Sequence, residues 1–472
     1  MKFGTLVRLK NIEDCTVAFE KVKAMNLESC QLVYKPQTYT LESARIIKAA
    51  AEQCGIEISA FFAGFYDDYT AWELKYDFRN AGLNSVAFGA ERLKYLLGAL
   101  PFLQELGVTD MIIHAGFVPN DGKMFYDGAD YIKAHDRRVC MQYIKIKGLE
   151  KNISRLVFGT ATPKLFAAVA PNATKQDEDA AFALLDTVFA AGINTFDCAA
   201  HYGEEIMGRW MTARNNRDKC VILTKGAHPN AWRDRVTDYD ILSDANDSLK
   251  KLKTDKIDIY MLHRDSRNAP VGMIVEALNR LYQEGKVATF GGSNWTHQRI
   301  EEANKYAEKH NLMPFTVSSP NFGLAEQVSD PWVADAKFSD PCVTISGPEN
   351  ADARRWYAEK GITVFAYSSL ARGFFSGAFS SKNPEDAYKI MDDAGIKGYY
   401  CPQNIERLRR CEILAEKKGV TVAQIALAWI FSQDMSLCAL SSPVTEQQIY
   451  DNIKAMELKL NADEVNWLNL VD

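Results

Sequence analysis

Four side chains in the middle of the chain are of the types that proton transfer at a carbonyl requires: Asp197, Tyr202, Lys225 and His263. Asp197 follows the apolar run Ile193 to Phe196 within AGINTFDCAAHYG, which reads as a buried strand with a charge at its end. Lys225 and His263 close two later runs of the same kind, VILTK and IDIYMLH. Reducing a carbonyl by hydride leaves an alkoxide that must be protonated, and a phenol with a pKa of about 10 becomes a usable donor once that value is brought down. A neighbouring ammonium does this, and a carboxylate behind the ammonium keeps it charged and oriented. A neutral imidazole can hold the oxygen as charge develops on it. Taken singly, each residue also has an ordinary reading. Asp197 could cap a turn or pair with Lys225 structurally, Tyr202 could be a rim aromatic, and His263 a satisfied core histidine.

The elements that would position these groups alternate strictly from residue 141 onward. Gln142 to Ile146 and Ile153 to Leu156 flank a turn containing Gly148, as in a hairpin. Strands are then expected at Val157 to Thr160, Asn194 to Asp197, Cys220 to Lys225, Ile257 to His263, Ala288 to Asn294, Phe315 to Ser319, Ile362 to Ser368 and Leu437 to Ser442. Helical stretches such as Asp177 to Ala191, Ser243 to Leu252, Val271 to Glu284, Gln298 to His310 and Val422 to Ser432 separate them. Eight strands each followed by a helix make a complete (β/α)8 TIM barrel, whose functional groups sit at the carboxyl ends of its strands. Asp197, Lys225 and His263 end the second, third and fourth strands, so they converge with Tyr202 on one mouth.

Before the barrel lies a smaller α/β segment. Lys2 to Arg8, Cys30 to Tyr34, Ile58 to Phe65 and Asp110 to His114 read as strands, and Glu13 to Met25, Leu41 to Cys54 and Glu91 to Leu106 as helices. This is a four-unit βα half-barrel-like domain over residues 1–136. Pro119 to Arg138 is polar and turn-rich, and a linker is placed at 137–140 before the barrel domain at 141–472. Four open units would expose a sheet edge, so the segment is expected to pack on another copy or on the barrel, with homo-oligomerisation through it as one outcome.

Composition narrows the class of function. The chain has 472 residues, 47% hydrophobic and 25% charged, with a net charge of -6, so no basic field points to nucleic acid. No apolar stretch approaches the ~20 residues of a membrane span. The ten cysteines show neither a CxxC pair nor a metal-ligand spacing, which fits reduced thiols and a cytoplasmic location.

Residues 141–472 closely resemble an aldo-keto reductase through GINTFDCAAHYG, VILTK, SLKKLKTDKIDIYMLH, GKVATFGGSNW, ITVFAYSSLARGFFSG and VTEQQIYDNIKAMELKL. The resemblance implies a catalytic tetrad of Asp197, Tyr202, Lys225 and His263, with Tyr202 as general acid or base. It also implies a nicotinamide cofactor and no metal. Ser293 and Asn294 match the residues that hold the nicotinamide carboxamide, Tyr367 the aromatic that stacks on the ring, and Ser368, Leu370 and Arg372 the segment along the pyrophosphate. Ser442, Thr445, Gln448 and Asn452 match the region around the adenosine. Family habit implies NADP(H), while the uncharged Ser442 and Gln448 lean toward NAD(H). Relatives often carry a glutamine on the sixth strand, whose contact Ser318 or Ser319 would have to replace.

His201, Arg264 and Trp295 follow strand ends and are candidate substrate contacts. Asp265, Asn321 and Tyr367 add to a polar and aromatic rim suited to a sugar, a sugar acid or a small hydroxycarbonyl compound. Trp295 could equally be a packed residue. Two other classes of function stand beside the reductase: a cofactor-binding regulatory subunit with little turnover, and isomerase or epimerase activity in residues 1–136. KFGTLVRL and DMIIHAGFVP resemble the first half of a sugar-phosphate isomerase/epimerase (xylose-isomerase-like) barrel. That chemistry would need several metal ligands, and His114 alone has positional logic there.

Overall fold

The computed structural model describes residues 4–9, 11–34, 39–62, 89–112, 141–332 and 340–471. The chain divides into two compact units, Met1–Asp136 and Arg137–Asp472.

In the first unit four parallel strands lie in sequence order: β1 (Gly4–Arg8), β2 (Ser29–Val33), β3 (Glu57–Phe62) and β4 (Met111–Ile112). Helices Cys15–Ala24, Leu41–Cys54 and Gly89–Leu106 connect them. The middle helix has a sequence-encoded start and stop. Thr40 and Ser43 form a reciprocal capping box, and Gly55 ends the helix in the left-handed region at φ +70°. Phe19, Leu32, Ile47, Phe61 and Phe102 form its buried centre. His114, the turn-rich stretch Pro119 to Arg138 and the junction at 137–140 lie outside the described residues.

The second unit opens with a short antiparallel hairpin, β5 (Tyr143–Ile144) and β6 (Ile153–Ser154). Eight parallel strands then close into a barrel: β7 (Leu156–Gly159), β8 (Thr195–Asp197), β9 (Val221–Gly226), β10 (Ile257–Leu262), β11 (Val287–Ser293), β12 (Val317–Ser319), β13 (Thr363–Ala366) and β14 (Leu437–Ser441). Alternation along each strand divides two apolar layers. Val157, Val221, Leu223, Ile259, Met261, Val317, Phe365 and Cys438 fill the interior. Phe158, Phe196, Ile222, Tyr260, Leu262, Phe290 and Val364 join the larger cluster outside it. Full burial of side chains this size contributes about 1.5–3 kcal/mol each, so the barrel is a packed core rather than a pore.

Ile146 and Ile153 of the hairpin join the interior cluster. The Thr289 hydroxyl near the start of β11 donates to Lys147 O at 3.2 Å. The hairpin therefore closes the amino-terminal end, and the carboxyl ends of the strands are left as the mouth. No helix among the described residues is long and apolar enough to cross a membrane.

Candidate active site

The loop after β8 is strapped to β9, and this strapping sets the position of Tyr202. Cys198 N–H donates to Leu223 O at 2.8 Å and Ala200 N–H to Lys225 O at 2.9 Å. Ala199 and Tyr202 then exchange backbone hydrogen bonds of 3.0 and 2.9 Å, closing a tight turn. Gly203 follows at φ +79°, and a Cβ there would lie 1.9 Å from Thr160 Oγ1. Only glycine lets the chain enter helix Glu204–Arg214 at this approach.

Lys225 and Asp197 are buried, with the ammonium donating to Asp197 Oδ1 at 2.5 Å, Cys198 O at 3.0 Å and the Tyr202 hydroxyl at 3.1 Å. The Tyr202 hydroxyl also lies 3.4 Å from Asp197 Oδ2. The His263 ring stands 6.2 Å from that of Tyr202, steeply inclined at 77°. Its main chain is fixed by a 2.7 Å bond from His263 N–H to Gly226 O. The four expected tetrad residues are thus gathered at one mouth.

Charge states follow from this packing. Burial works to strip the proton from Lys225, but Asp197 and Tyr202 together outweigh it and hold the ammonium above its ordinary value. Burial raises Asp197, and the ammonium opposes that rise; with Lys225 held charged, the two form an ion pair. Tyr202 corrects an expectation. Lys225 does pull the phenol down, but burial, reinforced by Asp197, pushes it up further, and the net direction is well above a free tyrosine. Tyr202 therefore rests as a neutral phenol that carries its proton. Burial, and then Lys225, holds His263 well below the usual imidazole value, so that ring is neutral too. Its Nδ1 is buried without a hydrogen-bond partner among the described residues.

Three of the carried-over cofactor positions form one network. Asn294, left-handed at φ +58°, donates to His263 O at 3.2 Å and to Ser293 Oγ at 3.3 Å. Its Oδ1 accepts from the Tyr367 hydroxyl at 2.8 Å, and Ser293 donates to Ser319 O at 3.0 Å. Beyond Tyr367 the chain places Ser368, Ala371 and Arg372 at φ +51°, +50° and +54°. Left-handed non-glycine residues are uncommon, and three within five positions make this a constrained stretch of backbone. Leu370 lies between them at φ -105°, outside the left-handed region. Arg372 is bidentate on Asp392 and stacks on Trp332 at 4.8 Å. Ser442 donates to Gly159 O at 2.9 Å. Thr445 caps helix Glu446–Lys454 by accepting from Gln448 N–H. Gln448 Oε1 accepts from Val444 N–H at 2.9 Å, and Asn452 lies 3.4 Å from Ser441 Oγ.

Several expected contacts are elsewhere. Trp295 is wholly buried against Phe315, with ring centroids 5.0 Å apart, so it is a packing residue and not part of the rim. Arg264 is also buried, its Nη1 reaching Cys342 Sγ at 2.7 Å. Ser318 bonds to the Tyr357 hydroxyl at 2.8 Å and Ser319 donates to Phe365 O at 2.9 Å, so both hydroxyls serve the barrel wall. Asp265 is buried on Arg299. Asn321 bridges Tyr399 and Thr344.

His201 remains at the mouth, exposed, stacked on His263 at 5.2 Å with 12° between the rings. Although the side chain as a whole is exposed, the loss of water around its ring among the neighbouring side chains, and then His228, lower its pKa to about 4. Two groups escaped sequence reading. His228, in GAHP just past the end of β9, lies with its ring 4.7 Å from His201 and 5.0 Å from His263. Lys164, in helix Pro163–Ala167, reaches Val444 O at 3.2 Å beside the adenosine-matching helix start. Their signal was only position, each lying a few residues beyond a strand end.

A closed (β/α)8 barrel whose mouth holds a buried lysine–carboxylate pair against a neutral tyrosine and histidine defines an oxidoreductase class. The Aldo/keto reductase family matches residues 155–471, and the chain belongs to that family. It is 27% identical over 350 residues to the uncharacterized oxidoreductase YrpG of Bacillus subtilis, covering 70% of this chain and 95% of that protein. It is 24% identical over 289 residues to the L-glyceraldehyde 3-phosphate reductase of Escherichia coli, covering 58% and 78%. A probable voltage-gated potassium channel subunit beta of Oryza sativa is 28% identical over 298 residues, covering 60% and 83%. Among solved structures, a thermostable aldo-keto reductase in complex with the inhibitor epalrestat superimposes with a TM-score of 0.51 at 20% identity, covering 70% of this chain and all of that one.

Proposed function

We propose that the barrel is an NADP(H)-dependent reductase that interconverts a carbonyl and an alcohol on a small hydroxycarbonyl compound. The observation that carries this reading is the 3.1 Å contact between Lys225 Nζ and the Tyr202 hydroxyl, backed by Asp197 at 2.5 Å. Tyr202 gives its proton to the substrate oxygen as that oxygen gains charge, and Lys225 steadies the phenolate left behind. The neutral His263 ring orients the carbonyl from the other side. A reduced nicotinamide supplies the hydride when bound. Asn294 and Ser293 would hold its carboxamide, Tyr367 its ring face, and the segment from Ser368 to Arg372 its pyrophosphate. Arg372 must leave Asp392 to take part, which makes that ion pair a latch over the segment.

Lys164 supports NADP(H) over NAD(H), since it brings a cation to the adenosine end where Ser442, Thr445, Gln448 and Asn452 bring none. The rim is polar at His201 and His228, and a relative is named for reducing a phosphorylated three-carbon hydroxyaldehyde. Both support a small, oxygen-rich substrate. The test is NADPH and NADH oxidation by the purified chain across a panel of hydroxyaldehydes and sugars, alongside fluorescence titration of each nucleotide. Turnover with NADPH bears the reading out. Tight cofactor binding without turnover of any carbonyl would favour a regulatory subunit instead.

A further inference from the structure

We propose that His201, His228 and His263 form a binding site for one zinc-type divalent metal ion at the barrel mouth, and that filling it blocks carbonyl reduction. The second half of the proposal rests on the reductase reading, because His263 belongs to both sites. The three residues come from three adjacent positions of the barrel: the loop after β8, the loop after β9 and the end of β10. One ring nitrogen from each lies within 4.8 Å of the others. The chain has only seven histidines, so three in one place is not an effect of composition.

The geometry is close to that of a metal site. Zinc–nitrogen bonds are about 2.0–2.1 Å, which puts two nitrogens of a tetrahedral ion about 3.4 Å apart. The nitrogens must therefore close by up to about 1.4 Å, and side-chain rotation at the exposed His201 and half-buried His228 can supply it. His228 is already oriented in the manner of a ligand. Its Nδ1 lies 2.9 Å from Pro229 O, which makes Nδ1 the protonated nitrogen and puts the lone pair on Nε2. Carbonyl partners of this kind fix the tautomer of metal-bound histidines. His263 brings a second observation, a buried Nδ1 without a hydrogen-bond partner among the described residues. Three protein ligands leave a fourth position open, and an anion there would offset the nearby Lys225 ammonium.

Metal binding and reduction then compete. A histidine whose nitrogen is held by a cation no longer orients a carbonyl, and the ion occupies the space the substrate oxygen must enter. The ion acts here as an inhibitor or sensor input, not as a participant in hydride transfer.

The experiment titrates the EDTA-treated full chain with Co2+, read by its tetrahedral visible absorption, and then displaces it with Zn2+. The expected result is one ion per chain without a sulfur-to-cobalt charge-transfer band, which excludes the cysteines. His228→Gln should weaken binding by at least about 100-fold, since loss of a ligand exceeds the 10–100-fold effect of losing a ligand's own partner. His297→Gln should leave it unchanged. No tetrahedral band in the wild-type chain, or an undiminished one in His201→Ala/His228→Gln, overturns the site. With aldehyde turnover as the second readout, Zn2+ should inhibit the wild-type chain competitively against the carbonyl and spare His228→Gln. A filled site with undiminished turnover overturns the competition. A filled site in a chain that reduces no carbonyl leaves the metal site standing and defeats the reductase reading alone.

Discussion

Replacing Lys225 by methionine keeps most of the side chain's bulk and removes its charge, which isolates the electrostatic part of the site. Lys225 and Asp197 are 3% and 4% exposed, so the carboxylate would stay in the core with the Tyr202 hydroxyl at 3.4 Å as its remaining side-chain contact. Breaking a buried pair on one side costs about 3–5 kcal/mol. For a barrel unit of roughly 340 residues the unfolding entropy is about 0.7 kcal/mol per degree, so the melting temperature should fall by about 4–7 °C. The double variant Asp197→Asn/Lys225→Met leaves no lone charge behind and should regain most of that loss. Both variants should lack carbonyl reduction. Thermal melts followed by tryptophan fluorescence check the stability half, and nucleotide oxidation checks the other. A Lys225→Met chain that melts with the wild type, or a double variant less stable than the single, would refute the description of these residues as a coupled buried pair.

Trp295→Ala should destabilise the barrel by about 3–5 kcal/mol, as for other buried aromatics; a change in KM with an unmoved melting temperature would instead return Trp295 to the substrate site. Lys164→Ala should weaken NADPH binding several-fold more than NADH binding in parallel titrations, and equal effects on both would remove it from the phosphate end. Asp240 is held down to about 2 by Arg233, with Thr237 and Arg235 assisting. Its folded value lies below the unfolded ~3.9, so its contribution is complete above that pH and is lost as pH falls toward about 2. Melting temperature measured between pH 5 and pH 2 should fall less steeply for Asp240→Asn than for the wild type, and equal slopes would contradict this.

Much of the barrel was legible because its signals are local. Each of β7 to β14 lies within a couple of residues of its expected place, since an apolar run bounded by turns needs no knowledge of what packs on it. The tetrad followed from the same logic, because a charge closing such a run must lie at the mouth. Burial was not legible in this way. Trp295, Arg264 and Ser318 follow or lie on strands just as the tetrad does, yet they turn into the wall, and only the neighbouring Phe315, Cys342 and Tyr357 decide that. The same limit hid His228, whose partners are 27 and 35 residues away in sequence. Metal-ligand spacing is readable within one turn or loop, not across three strand ends. The direction of the Tyr202 shift was missed for a related reason. The lysine's pull is a pair effect, visible from two residue types, whereas the burial that outweighs it belongs to the whole mouth.

The proposed role of Tyr202 as proton donor of a carbonyl reductase is tested most directly by comparing wild type and Tyr202→Phe under saturating NADPH and a turned-over hydroxyaldehyde, with nucleotide affinity measured on both. The expected kcat of the variant is lower by about 10²–10⁴-fold with NADPH affinity nearly unchanged, because Lys225 keeps Asp197 and Cys198 O as partners. A Tyr202→Phe chain that turns over at the wild-type rate would contradict that role.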